Sequence, residues 1–130
     1  MFVDSSAIVA ILLGEPEADA LAGALENAAR RVTSPLVRLE ATIVLASRLD
    51  IEPSRAQQLF DDFLEEAVVS VIPLSDAIAR RAVDCFERFG KRRHPARLNL
   101  ADCFSYACAR EYHEELLFKG EDFSKTDVNE

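Results

Sequence analysis

Four short segments of strand character, separated by helical patterns with their own start signals, constrain this chain more than any other feature. The strand candidates are Phe2-Val3-Asp4, Val32-Thr33, the β-branched run within residues 67–73, and residues 116–118. Between them lie six helical patterns. The first, over residues 7–13, has Ser5 or Ser6 as its cap and Gly14 as its stop. The second starts near Pro16 and runs through an Ala- and Leu-rich stretch to about Arg30. Ser34-Pro35 opens a third, to about Leu49, and Pro53-Ser54 opens a fourth. Ser75 caps a fifth, which Gly90 stops, and Asn99 caps a sixth, to about Tyr112. Short apolar strands alternating with helices predict an α/β domain with a mainly parallel sheet. Ligands of such sheets bind beyond the carboxyl ends of the strands.

That edge is where the acids of interest fall. Asp4 stands at the end of the first strand, with two readings: a helix cap, or a carboxylate pointing into the crevice. Asp102 lies in the first turn after Asn99, where a helix dipole favours an acid. Asn99 already caps that helix, so the cap does not require Asp102. The neighbours Leu100, Ala101, Cys103 and Phe104 are apolar, and an acid in such a run must be paired, hydrated or metal-bound. Glu40 interrupts an equally apolar stretch of the third helix. Its ordinary alternative is a solvent-facing ion pair. Asp122 follows the last strand, with Glu121 and Asp127 as competitors and a solvated turn as the alternative for all three. A parallel sheet can gather Asp4, Glu40, Asp102 and Asp122 at one edge. Carboxylates held that close repel unless a cation relieves them. Magnesium and manganese prefer oxygen ligands and stabilise the charge of a phosphodiester transition state.

The net charge of −8 argues against a protein that coats nucleic acid by bulk charge, but metal sites are themselves acidic. The positive charge is local. Residues 88–97 contain Arg88, Lys91, Arg92, Arg93 and Arg97, five of the 15 basic residues, and no acid. A basic segment just before the Asp102 helix suits phosphate binding through Arg92 and Arg93, with an ordinary solvated loop as the alternative. His94 and His113 have no His or Cys partner at ligand spacing. His94 is a further candidate for RNA contact, and His113 for the dipole of a helix end. Phe104 and Tyr106 lie in an apolar helix and read as core. Three cysteines with no C-x-x-C indicate neither a disulfide framework nor a zinc knuckle. Residues 5–14 carry no charge but are too few to span a membrane and lack a basic flank, so the expected compartment is the cytoplasm.

Four motifs, FVDSSAIVAIL, SPLVRLEA, GKRRHPARLNLADCFSYACA and LLFKGEDFSKTD, resemble the PIN-domain ribonucleases, and among them the VapC toxins of VapBC toxin–antitoxin modules. The motifs stand in the family's order and span nearly the whole chain. The resemblance implies a single PIN domain over residues 1–130, a three-layer α/β/α fold around a mainly parallel sheet. It also implies a magnesium- or manganese-dependent endoribonuclease. Carried over by position, Asp4 and Asp102 match the metal ligands, and Glu40 and Asp122 the remaining acids, with Asp127 as a supporting member. Ser6 or Ser5 would support the metal or cap the first helix. The implied partners are an RNA substrate, a cognate VapB-type antitoxin and a second copy of the chain. DNA would be contacted only through the antitoxin. Leu21, Leu25, Leu59, Phe60 and Phe63 offer apolar faces for core, dimer or antitoxin contacts.

Two other classes compete. A phosphatase of haloacid-dehalogenase type also begins with a strand-end Asp, but needs a second acid where this chain has Ser6. An inactive PIN module that only binds RNA or protein is expected to have lost an acid, and none of the four is missing.

Overall fold

The structure is a computed structural model that describes residues 1–130. Its centre is a four-stranded sheet in the order β3-β2-β1-β4, parallel throughout. The strands are β1 (Phe2–Val3), β2 (Val32–Thr33), β3 (Ser70–Val71) and β4 (Leu116–Leu117). Phe2 pairs with both Val32 and Leu116, which makes β1 a central strand. Phe2 and Val3 are completely buried, as expected of a strand covered on both faces. β3 is the exposed edge, so its β-branched composition reflects strand propensity more than burial.

Six helices cover the sheet: α1 (Ser5–Leu12), α2 (Ala18–Glu26), α3 (Pro35–Leu49), α4 (Pro53–Ala67), α5 (Asp76–Phe89) and α6 (Leu100–Glu111). α1 packs on α2 and α3, α3 on α4, and α5 on α6; α6 also lies against β1, β4 and α3. Parallel crossovers are almost always right-handed, so steps from β1 out to β3 and the return to β4 cover opposite faces. The result is the expected three-layer α/β/α architecture. Phe2, Ile8, Leu45, Phe60, Ile78 and Leu98 are its largest fully buried apolar side chains. Truncating Phe2 or Phe60 to alanine is expected to cost about 3–5 kcal/mol.

The capping signals locate most boundaries. Ser34 and Ser75 accept the N–H groups of Val37 and Ile78, each at 3.2 Å, at the starts of α3 and α5. Three expectations are corrected. Asp4, not Ser5 or Ser6, caps α1, because Asp4 takes the extended backbone (φ −76°, ψ 158°) and both serines are already helical. α2 ends at Glu26 rather than near Arg30. The Arg31 guanidinium there binds the carbonyls of Ala28, Glu26 and Ala67, and the chain is drawn straight into β2. Asp102 does join a cap, as described below. Gly90 stops α5 with ordinary backbone angles; its requirement is space, since a Cβ there would overlap the Phe86 ring and carbonyl.

The chain winds outward from β1 through β2 to β3, then returns to the other side of β1 as β4. The switch point therefore lies between β1 and β4, where open α/β sheets form their ligand crevice. Asp4 follows β1, and residues 118–122 follow β4.

Candidate active site

Asp4 is 3% exposed and held from three directions. Its Oδ2 accepts the Ser6 N–H at 3.0 Å and the Ser6 hydroxyl at 2.6 Å. Its Oδ1 accepts the Ser105 hydroxyl at 2.7 Å. The Lys119 N–H, just past β4, donates to the Ser6 hydroxyl at 3.0 Å and ties the two sides of the switch point together. The two readings of Asp4 are thus compatible. One carboxylate caps α1 and also stands at the carboxyl edge of the central strand.

Glu40 comes from α3 and accepts a hydrogen bond from the Ser5 hydroxyl. Burial pushes its carboxyl above the usual range. The Ser5 bond opposes this shift, and the charge of Asp4 adds to it. Asp102 sits at the third position of α6 in a capping box. Its N–H donates to Asn99 Oδ1 at 2.9 Å, and its Oδ2 accepts the Asn99 N–H at 3.0 Å. Its carboxyl is pushed up to about 6, first by burial, against the pull of the Asn99 N–H. The charges of Asp4, Glu40 and Asp122 push it further in the same direction. Acids from the end of β1, from α3 and from the segment after β4 therefore bear on Asp102 of α6.

The last motif also resolves into separate parts. Asp122 is exposed, at the start of a short 3-10 turn (Phe123–Lys125), and its charge bears on Asp102. Glu121 is exposed, and its carbonyl accepts from Ser124. Asp127 faces elsewhere. It accepts from the Tyr106 hydroxyl at 2.6 Å and Arg88 at 2.8 Å, and pairs with Arg110 at 3.1 Å. Burial alone would raise its carboxyl, but these three donors hold it well below the usual range. Asp127 thus supports the α5–α6 packing rather than the acid crevice, and Arg88 leaves the set of free basic residues.

No base forms an ion pair with Asp4, Glu40, Asp102 or Asp122. The donors around them are hydroxyls and N–H groups, which leave the net charge uncompensated. An all-oxygen set of this kind suits a hard divalent cation and offers nothing to zinc or copper. The side chains do not close a cage of three or more ligands around one point. Magnesium does not need one, since it keeps several waters and binds through one or two carboxylates plus substrate phosphates. The oxygen chemistry of these acids fits such an ion.

Arg92 and Arg93 lie on the exposed loop between α5 and α6, which runs through Leu98 and Asn99 into the turn that carries Asp102. His94 is turned inward against Phe89, at 5.0 Å between ring centroids. Tyr106 is core with its hydroxyl bonded, while Phe104 is half-buried. All three cysteines are buried and free. Two functional residues were not anticipated. Ser105 and Lys119 bind into the Asp4 network, and only the i, i+3 spacing of Asp102 and Ser105 on one helix face hinted at the first.

A parallel sheet with an acid crevice at its switch point defines the class, and comparison with known families agrees: the PIN domain family model matches residues 1–129, and the chain belongs to that family. Within it, the chain stands with the VapC ribonucleases. It is 46% identical to Ribonuclease VapC28 of Mycobacterium tuberculosis, over 98% of this chain and 95% of that protein. It is 43% identical to Ribonuclease VapC of Mycolicibacterium smegmatis, over 98% of this chain and 97% of the relative. A VapC ribonuclease of Rhizobium meliloti is 41% identical, covering 98% of each. Among solved structures, Mycobacterium tuberculosis VapC20, a sarcin-ricin loop cleaving toxin, superposes with a TM-score of 0.73 at 22% identity, over 95% of this chain and 92% of that one. A toxin–antitoxin complex from Klebsiella pneumoniae gives 0.71 at 21% identity, over 98% and 92%. At those identities the structural matches speak for the fold.

Proposed function

We propose that this chain is a magnesium- or manganese-dependent endoribonuclease, the toxin of a VapBC-type toxin–antitoxin pair. One observation carries the chemistry: four carboxylates from distant parts of the chain share one edge, no base neutralises them, and one is pushed up to about 6. The names of the relatives, ribonucleases at 41–46% identity, support RNA as substrate. A divalent cation bound there would supply positive charge for the phosphodiester and lower the pKa of an attacking water. Asp4 and Asp102 would hold it, with Asp4 fixed in place by Ser6 and Ser105. Glu40, raised by burial and oriented by Ser5, is suited to take the proton of the attacking water. Asp122, exposed at the mouth, would orient that water. Arg92 and Arg93 would hold RNA phosphates.

The antitoxin reading is supported by the complex among the structural neighbours. An apolar crevice of about 430 Å³ between α1, α2 and α4, lined in part by Ile11, Leu12, Leu25, Leu59 and Phe63, suits a partner helix. Leu25 and Phe63 are core residues that border this crevice, whereas Leu21 and Phe60 are core residues that do not line it. For a second copy of the chain, the exposed Val83, Phe86 and Leu100 at the α5–α6 seam offer an apolar contact. DNA contact would come through the antitoxin. No helix is long and apolar enough to cross a membrane.

The test is cleavage of single-stranded RNA by purified protein with magnesium or manganese, comparing Asp4→Asn and Asp102→Asn with the parent. Cleavage by the parent alone, abolished by chelator, is the expected result. Equal cleavage by all three would place the activity outside this crevice.

A further inference from the structure

We infer that loop 91–97 is a preformed cradle for the phosphates of a polyanion, and that His94 is the positioning residue that holds its shape. This rests on the ribonuclease reading and adds what organises the RNA-facing surface.

The loop is closed at its base. Gly90 and Leu98 pair in an isolated bridge; Lys91 N–H donates to the Leu98 carbonyl and Leu98 N–H to that of Phe89, both at 3.0 Å. Inside the loop, the Arg93 and His94 N–H groups both donate to the Gly90 carbonyl, at 3.0 and 3.1 Å, and Arg97 N–H donates to the His94 carbonyl at 3.0 Å. Ala96 and Leu98 are completely buried anchors on either side of exposed Arg97. Arg92 (φ 68°) and Arg97 (φ 53°) occupy the left-handed region, which strains a non-glycine residue. A loop that keeps two such residues is held by its bonds and is not merely solvated.

His94 supplies the central one. Its Nδ1 accepts the Ala96 N–H at 3.0 Å while its ring stands edge-on to buried Phe89. It links the loop's interior both to its own backbone and to the end of α5. A side chain that accepts from the backbone two residues on is the geometry that asparagine adopts in turns.

The charges identify the occupant. Lys91, Arg92, Arg93 and Arg97 form no ion pair with any acid, whereas Arg88, just before the loop, is engaged by Asp127 at 2.8 Å. Four unpaired cations in seven residues repel one another unless an anion bridges them. The dent they border is about 590 Å³ and, apart from Pro95, is lined by basic side chains and His94, so it suits a phosphate chain rather than an apolar helix. Preorganisation lowers the ordering cost of binding, and that is the contribution assigned to His94.

The experiment measures binding of a labelled single-stranded oligoribonucleotide, and separately of inorganic polyphosphate, in chelator across a salt titration. The proteins are the parent, Arg92→Ala, Arg97→Ala, His94→Ala and His94→Asn, with cleavage kinetics alongside. Arg92→Ala and Arg97→Ala are each expected to lower the salt slope by about 1. His94→Ala should weaken RNA binding about 10-fold and raise KM with kcat unchanged, and His94→Asn should recover most of that loss. Parent-like binding by both arginine variants would overturn the cradle. Parent-like binding by His94→Ala, or no recovery by His94→Asn, would overturn the role of His94. If the parent binds polyphosphate but neither binds nor cleaves RNA, the cradle stands and the ribonuclease reading falls; if it binds neither polyanion yet cleaves RNA with metal, the cradle alone falls.

Discussion

The acid crevice and the Asp127 cluster put the same kind of residue to opposite uses. At the crevice, burial first, and then the charges of Asp4, Glu40 and Asp122, push the carboxyl of Asp102 up to about 6. At the cluster, Asp127 is surrounded by Tyr106, Arg88 and Arg110, and its carboxyl is held well below the usual range. The cluster supplies Asp127 with its countercharge and so knits α5, α6 and the last residues together. The crevice leaves its charge unbalanced, poised for a cation from outside. An aspartate with its countercharge in place is structural; one deprived of it is available for chemistry.

The sharpest way to break this contrast is to neutralise each side. Asp4→Asn or Asp102→Asn should lower RNA cleavage by at least ~10²-fold with an unchanged circular dichroism spectrum. Asp127→Asn should act on stability instead, costing about 2 kcal/mol after allowance for solvent screening, read as a Tm drop of roughly 6–10 °C. Its cleavage well below Tm should stay within about threefold of the parent. A large loss of kcat in Asp127→Asn would erase the distinction.

Ser105→Ala tests whether the crevice needs its supporting hydroxyls. It frees Asp4 Oδ1 and should weaken manganese binding about 10-fold by calorimetry, with the fold retained. Unchanged affinity would make Ser105 a packing residue only.

The smallest expected effect is on stability against pH, where the two sites have opposite signs. Asp102 is raised, so its contribution is fully present below its usual 3.8 and is lost as pH rises through about 6. Asp127 is lowered, so its contribution is present above 3.8 and fades as pH falls below it. In chelator, Asp102→Asn should therefore gain a few degrees of Tm over the parent at pH 7.5, about 1 kcal/mol after screening, and nothing near pH 4. Magnesium should raise the parent's Tm at pH 7.5 and remove that gap. A gap that persists in magnesium would place the ion elsewhere.

Much of the fold was legible because its signals are local. Ser34-Pro35, Ser75 and Asn99 mark helix starts through bonds spanning three residues, and the structure keeps each one. The first cap stays open in the sequence because Asp4, Ser5 and Ser6 are all good caps, and only the backbone angle at Asp4 separates them. The end of α2 was misread because helix propensity continues past Glu26, while the Arg31 bond to Ala67, 36 residues away, does not appear in any local window. The acids were legible as candidates because strand ends and helix starts are recognisable places. Their roles were not.

The residues and their order set which carboxylates could reach the edge of a parallel sheet, and the four motifs were enough to indicate the family. Tertiary structure alone tied Asp127 into a cluster with Tyr106, Arg88 and Arg110, withdrew Arg88 from the basic loop, and brought in Ser105 across 101 residues of chain. The physical reason is range. Capping and periodicity act within a turn or two along the chain, whereas charge compensation and hydrogen bonding depend on distances of a few ångströms through space, whatever separates the partners in sequence.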